Sequence, residues 1–128
     1  MTEGKSVLVI GLDPTLIDFS GPGYVDTGMD ATKVLSGLKS SEDELTRHGY
    51  SVQMCLTDFG ETAEAVVRSQ LKQKRFDCVL IAAGIRTVPS NFILFEKLIN
   101  AVHELAPQAK LCFNTKPSDT AEAVQRWL

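Results

Sequence analysis

The sequence predicts an α/β fold: a three-layer sandwich with helices on both faces of a four-stranded parallel sheet in the order 2-1-3-4. Four short apolar segments recur along the 128 residues, and each precedes a stretch with helical periodicity. The segments are aliphatic rather than alternating, which is typical of strands buried on both faces of a parallel sheet. Right-handed crossovers that cover both faces favour this order. The length fits a single domain, 1–128.

The first half of the chain predicts two strands separated by a long connection and a helix. The strands are the aliphatic runs 6–12 and 51–56. Between them, 30–49 has apolar residues at helical spacing and ends at Gly49, which suits a left-handed cap. Ser41, followed by a glutamate three residues later, has capping-box spacing, so the stretch forms either one helix or two.

The second half continues the alternation of strand and helix. Helices are predicted at 61–74, 91–105 and 119–128, and strands at 77–84 and 109–114. One connection departs from the regular pattern: the loop 12–30 is about three times as long as an ordinary strand-to-helix loop. Loops of that length are commonly lids, binding loops or interfaces, and the sequence does not decide among these roles.

One octapeptide occurs almost unchanged twice, as ETAEAVVR (61–68) and DTAEAVQR (119–126). In each copy an acidic residue opens the segment, and a glutamate precedes an arginine by four residues, both of which favour a helix. Acidic residues at a helix start occupy the N–H groups that a phosphate would need. We therefore interpret the repeat as a good helix start rather than as a binding element.

Charge and cysteine content exclude several classes of function. The chain has 13 Lys and Arg against 16 Asp and Glu, so no basic field indicates binding to nucleic acid or to an anionic membrane. The apolar run near the N-terminus is too short for a signal peptide or a membrane span, which predicts a cytoplasmic protein. The three cysteines lack CxxC spacing and lie in apolar runs, so we expect buried free thiols.

Polar residues that follow the first, third and fourth strands predict a ligand site. In an open parallel sheet the crevice lies beyond the carboxyl ends of the strands, where the strand order reverses. The segment 82–91 contains no acid and ends in residues suited to capping a helix. The predicted ligand-binding residues are Asp13, Arg86, Thr87, Ser90, Asn114 and Lys116.

Two of these residues have alternative roles that the sequence leaves open. Arg86 either holds an anionic ligand or pairs with Asp13 across the crevice. Asn114 either contributes to the site or only orders its loop through an Asx turn. An enzyme that uses Asp13 as an acid or base is a further reading, and it rests on that single carboxylate.

Other candidates for chemistry are weaker. Four acids of the long loop, Asp13, Asp18, Asp26 and Asp30, match no calcium-loop spacing, so they are interpreted as solvated residues rather than metal ligands. The histidines lie at helix ends, on the edge of the sheet opposite the crevice, which argues against a histidine-dependent mechanism. The glycine-rich phosphate loops of flavodoxins and dinucleotide-binding domains are absent after the first strand, and the sequence identifies no cofactor.

Several longer motifs carry a resemblance to known proteins. They are GLDP (11–14), CLTDFGETAEAVV (55–67), GIRTVPSNFILFE (84–96) and CFNTKPSDTAEAVQRW (112–127). Over nearly its full length the chain is similar to a group of small uncharacterised bacterial proteins with a flavodoxin-like (Rossmann-like) fold. The resemblance implies that fold and implies no activity.

Two functions from different classes follow. The first is binding of a small anionic metabolite or nucleotide at the crevice. The alternative is a homodimeric interaction module without a ligand, in which the largely apolar edge strand 109–114 and the C-terminal helix form the interface.

Overall fold

The computed structural model describes residues 5–20 and 28–128. Four strands form an all-parallel sheet in the order β2-β1-β3-β4, as the sequence predicts. They are β1 (Ser6–Leu12), β2 (Ser51–Thr57), β3 (Cys78–Ile81) and β4 (Lys110–Phe113). The helices are α1 (Ala31–Arg47), α2 (Ala63–Gln73), α3 (Ala83–Arg86), α4 (Phe92–Leu105) and α5 (Thr120–Gln125). Short 3-10 turns occupy Pro14–Leu16, Pro89–Asn91 and Pro117–Asp119.

Helices cover both faces of the sheet and create two apolar layers. Alternate residues of β1 point to opposite faces, because side chains along a strand alternate with a period of two. Leu8 and Ile10 pack with α2 and α4, whereas Val7 and Val9 pack with α1 and α5. The result is the three-layer sandwich that the aliphatic strands predict.

The long helix α1 is continuous, which settles the question of one helix or two. The Ser41 side chain starts no second helix, and its hydroxyl donates a hydrogen bond to the Pro117 carbonyl at 3.0 Å. Asp30 caps the N-terminus by accepting from the Lys33 N–H at 2.8 Å. Gly49 follows the helix at φ +93°, the left-handed conformation expected there.

The third strand is shorter than predicted. β3 ends at Ile81, and the predicted end of the strand, 82–84, instead leads into the short helix α3. A long-range contact explains the difference, because the Ala83 N–H donates to Asn114 Oδ1 at 2.7 Å and thereby turns the chain away from the sheet.

The two copies of the octapeptide both begin helices and differ in their contacts. In the first, Arg68 pairs with Glu64 at 2.9 Å and with Glu104 of α4 at 2.7 Å. In the second, Arg126 donates to the Phe113 carbonyl of β4 at 3.1 Å. The shared sequence therefore encodes a helix, while the neighbours determine what each arginine binds. In the described ranges, no helix has both the length and the apolar character needed to cross a membrane.

Candidate functional site

A cavity of about 220 Å³ lies at the carboxyl edge of the sheet, where the chain order reverses between β1 and β3. Its floor consists of small residues of β1 and of the segment that follows β3, namely Gly11, Ala82, Ala83 and Gly84. The location agrees with the position predicted for the crevice.

The walls of the cavity are largely apolar. Val34 and Leu38 contribute from one face of α1, Val88 follows α3, and Pro117 precedes α5. The described parts of the long loop add Ile17, Phe19 and Met29, while residues 21–27 of that loop lie outside the described residues. The sequence did not predict that these apolar residues line a cavity, because Val34 and Leu38 have the helical spacing of residues that pack into the core.

Close contact between α1 and the turn after β4 forms one side of the cavity. A Cβ atom added to Gly37 would lie 2.9 Å from Pro117 Cβ, which is closer than such atoms approach. One turn further along α1, the Ser41 hydroxyl bonds the carbonyl of the same proline. The absence of a side chain at Gly37 therefore allows α1 to approach Pro117.

Asn114 connects the elements beneath the cavity. Its side chain accepts from Ala83 N at 2.7 Å and donates to Thr120 Oγ1 at 2.9 Å. The Thr120 hydroxyl in turn donates to the Pro117 carbonyl at 2.8 Å. Asn114 lines the cavity and is buried, but these bonds give its amide a positioning role.

Lys116 is the one charged residue among the described residues that line the cavity. Its side chain is exposed, and its ammonium group forms no salt bridge with a described residue. Asp119 lies nearby. Burial raises the pKa of Asp119. This effect is outweighed by hydrogen bonds from Thr115 and from the Lys116 N–H, together with the positive charge of Lys116, so the pKa lies below 3.8.

Arg86 lies outside the cavity lining and connects two loops. Its Nη2 donates to the Asn114 carbonyl at 2.9 Å, and its guanidinium group lies 5.4 Å from the centre of the Phe113 ring. The Nη1 atom is buried and has no hydrogen-bond partner among the described residues. The pairing of Arg86 with Asp13, one of the two roles left open by the sequence, is not formed.

Asp13 is held in the turn that follows β1. Its carboxylate accepts from the Thr15 hydroxyl at 2.7 Å and from the Thr15 N–H at 2.9 Å. These bonds lower the pKa of Asp13 below 3.8, which makes the carboxylate a weak base. Asp13 does not line the cavity.

Of the two remaining predicted ligand-binding residues, Thr87 lines the cavity and Ser90 does not. Thr87 lines the cavity, although its hydroxyl donates to the Ala83 carbonyl at 2.8 Å. Ser90 is exposed in a 3-10 turn outside the lining. The structure thus brings Thr87, Asn114 and Lys116 together at the cavity and places Asp13, Arg86 and Ser90 around it.

The loop acids have local hydrogen-bond partners. Asp18 accepts from the Ser20 hydroxyl and N–H, and Asp30 caps α1. Asp26 lies outside the described residues. Within 5–20 and 28–128, no group of three or more His, Cys, Asp or Glu side chains is arranged to hold a metal ion.

These features define the chain as an α/β protein with a doubly wound parallel sheet and an apolar cavity at the point where the strand order reverses. The sequence matches no protein-family model and no curated protein. The fold is therefore what the structure shows, and the resemblance to a group of small bacterial proteins stays a prediction.

Proposed function

We propose that the protein binds a small anionic ligand, a metabolite or a nucleotide, in the cavity at the carboxyl edge of the sheet. The observation that carries the proposal is Lys116, a lysine with no ion-pair partner among the described residues, on the border of an otherwise uncharged lining. An anionic group placed beside this ammonium gains Coulomb energy, and the rest of the ligand is removed from water by the apolar walls.

The cavity has the features expected of a ligand site in this fold class. Small-molecule sites are concave, mostly apolar and supplied with a few polar groups, and in open α/β sheets they lie where the strand order reverses. Hydrogen bonds of Asn114 and to the Pro117 carbonyl fix the floor and one wall of the cavity. Walls that are fixed by bonds within the protein lower the entropic cost of binding.

Thermal unfolding with a panel of phosphates, mononucleotides, dinucleotides, flavins and carboxylic acids tests the proposal. A ligand at about one hundred times its Kd stabilises the native state by about 2.7 kcal/mol and raises Tm by several degrees. V34F would fill the cavity and abolish the rise in Tm. V66F places the same substitution on α2, away from the lining, and should preserve it. A rise in Tm that persists in V34F would refute binding at the cavity.

A homodimeric interaction module is the second proposal, and β4 is the observation that favours it. β4 pairs with β3 on one side, and no other described strand lies on its outer side. Trp127, just beyond α5, is 57% exposed. Pairing through the strand itself is limited, because β4 is only four residues long and Arg126 donates to the Phe113 carbonyl, so the exposed indole of Trp127 is the residue to test.

Sedimentation equilibrium tests the second proposal. A dimer through β4 and the C-terminal helix should weaken in W127A, because the interface would lose an exposed indole. F59A removes an exposed aromatic side chain that follows β2, on the other side of the sheet, and serves as the control. A protein that remains monomeric at high concentration excludes the dimer.

A further inference from the structure

The size of the cavity limits the ligand. A cavity of about 150 Å³ accommodates benzene, so the volume of about 220 Å³ has room for about nine non-hydrogen atoms. A nucleotide has more than about twenty non-hydrogen atoms, and most of it would remain outside. A compact molecule matches the cavity better.

The lining favours an apolar body with one charged end. Among the described residues, the walls around Val34, Leu38 and Val88 have no charged side chain, and burying apolar surface there is favourable. The hydroxyl and amide groups of Thr87 and Asn114 already bond protein atoms. Among the described lining residues, Lys116 thus provides the one charge, on an exposed side chain beside an apolar space.

The starts of α1, α2 and α3 at this edge of the sheet already have side-chain acceptors. Asp30 accepts from the Lys33 N–H of α1, and Asp58 accepts from the N–H groups of Gly60, Thr62 and Ala63 at the start of α2. The side-chain oxygen of Asn114 bonds the first N–H of α3. Phosphates bind helix starts through such N–H groups, and the two carboxylates would repel a polyanion.

From these observations we infer that the ligand is a compact monocarboxylate with an aliphatic or aromatic body, its carboxylate beside Lys116 and its body between α1 and α3. This inference rests on the proposed function, since it specifies the ligand of the same cavity. The class includes hexanoate, benzoate and phenylacetate. The carboxylate lies at the open end, where water completes its hydrogen bonds.

Titration of the ¹⁵N-labelled protein, followed by NMR, tests the inference. The probes are hexanoate, benzoate and phenylacetate, their neutral amides, AMP and NAD⁺. The amide resonances of Gly11 and Gly84 report on the floor of the cavity. We expect the carboxylates to shift both resonances, with Kd values between about 1 μM and 1 mM, and the neutral amides to bind about threefold or more weakly.

Two pairs of variants locate the carboxylate and the body of the ligand. K116Q removes the charge at the cavity and should weaken carboxylate binding about three- to fivefold. K110Q removes an equal charge at the opposite edge of the sheet and should leave the Kd unchanged. V34F should abolish the shifts at Gly11, whereas V66F should retain them.

Each other outcome overturns a defined part of the proposal. If AMP or NAD⁺ shifts Gly11 and Gly84 while the carboxylates do not, the monocarboxylate is wrong and the proposed anion site stands. If the neutral amides bind as tightly as the carboxylates, or K116Q binds like K110Q, the anion site itself is wrong. If no probe shifts the Gly11 and Gly84 resonances, or if binding persists in V34F, both the monocarboxylate inference and the proposed function are wrong.

Discussion

The side chain of Asn114 accepts a hydrogen bond from the Ala83 N–H at 2.7 Å, across 31 residues of sequence. This bond joins the end of β4 to the start of α3, directly beneath the cavity. Because the same amide donates to Thr120 Oγ1, it also fixes the start of α5. One buried polar side chain therefore sets the relative positions of the segments that follow β3 and β4.

We expect N114A to lower the free energy of unfolding by about 2–4 kcal/mol, since it leaves the Ala83 N–H without its acceptor and Thr120 without its donor. Urea unfolding monitored by circular dichroism measures the change. N100A is the matched control. The Asn100 amide bonds the Glu96 carbonyl on the exposed face of α4, and its loss should change stability by less than about 0.5 kcal/mol. Equal losses in both variants would contradict the role given to Asn114.

The same contact shows where prediction from sequence ends. The four strands and their order follow from aliphatic composition and chain alternation, which are local properties. The strand β3 is predicted too long because Ala82 and Ala83 continue its apolar pattern. The chain turns at Ala83 because its N–H bonds Asn114, which lies 31 residues later in the sequence. A contact between residues so far apart cannot be predicted from the local sequence pattern.

The sequence predicts where the candidate site lies but only some of the residues that line it. The location follows from the topology of the sheet, and Thr87, Asn114 and Lys116 do line the cavity. Charge alone makes Arg86 look like a ligand-binding residue, whereas its neighbours are a backbone carbonyl and the Phe113 ring. Neither neighbour can be inferred from sequence spacing.

R86M should lower the stability of the protein without weakening ligand binding. Methionine keeps an apolar contact with Phe113 and removes the hydrogen bond to the Asn114 carbonyl, so we expect a loss of about 1–2 kcal/mol in the free energy of unfolding. Because Arg86 does not line the cavity, the Kd of a carboxylate ligand should change less than threefold, within the weak effect of a distant charge. Urea unfolding and the NMR titration measure the two quantities. A variant that retains its stability and loses binding would instead make Arg86 a ligand-binding residue.

G37A should destabilise the protein even though alanine is the better helix former. The added methyl group would lie 2.9 Å from Pro117 Cβ, and such overpacking costs about 1–3 kcal/mol. The gain in helix propensity is about 1 kcal/mol, which leaves a net loss of about 1 kcal/mol. S36A, at the exposed neighbouring position of α1, should be neutral or slightly stabilising. A G37A variant more stable than wild type in urea would show that α1 moves freely from Pro117.

The carboxylate of Asp58 should make stability depend on pH in the acidic range. Hydrogen bonds from the Thr62 hydroxyl and from the N–H groups of Gly60, Thr62 and Ala63 lower the pKa of Asp58 below 3.8. A lowered folded-state pKa contributes stability that is present above 3.8 and is lost as the pH falls through the folded-state value. We expect D58N to reduce the fall in the urea midpoint on acidification, because asparagine cannot titrate and still accepts hydrogen bonds.

D58A separates the charge of Asp58 from its hydrogen bonds. This variant loses the acceptor at every pH, so its urea midpoint should lie below that of D58N at pH 7. A wild-type midpoint that stays constant below pH 3.8, or a D58N midpoint that falls as steeply as that of wild type, would contradict the assignment.

The cysteines should resist modification in the folded protein. Cys55, Cys78 and Cys112 are buried free thiols, and the sulfur atoms of Cys78 and Cys112 lie 3.1 Å apart across β3 and β4. The shared hydrogen bond with Cys78, together with burial, raises the pKa of Cys112 well above its ordinary value, and burial raises that of Cys55. The thiolate is the reactive form, so reaction with Ellman's reagent at pH 8 requires the chain to open. We expect the native rate to be at least about 100-fold below the rate in urea, where all three thiols react. A thiol that reacts rapidly in the native protein would identify an accessible cysteine and contradict the packing of these strands.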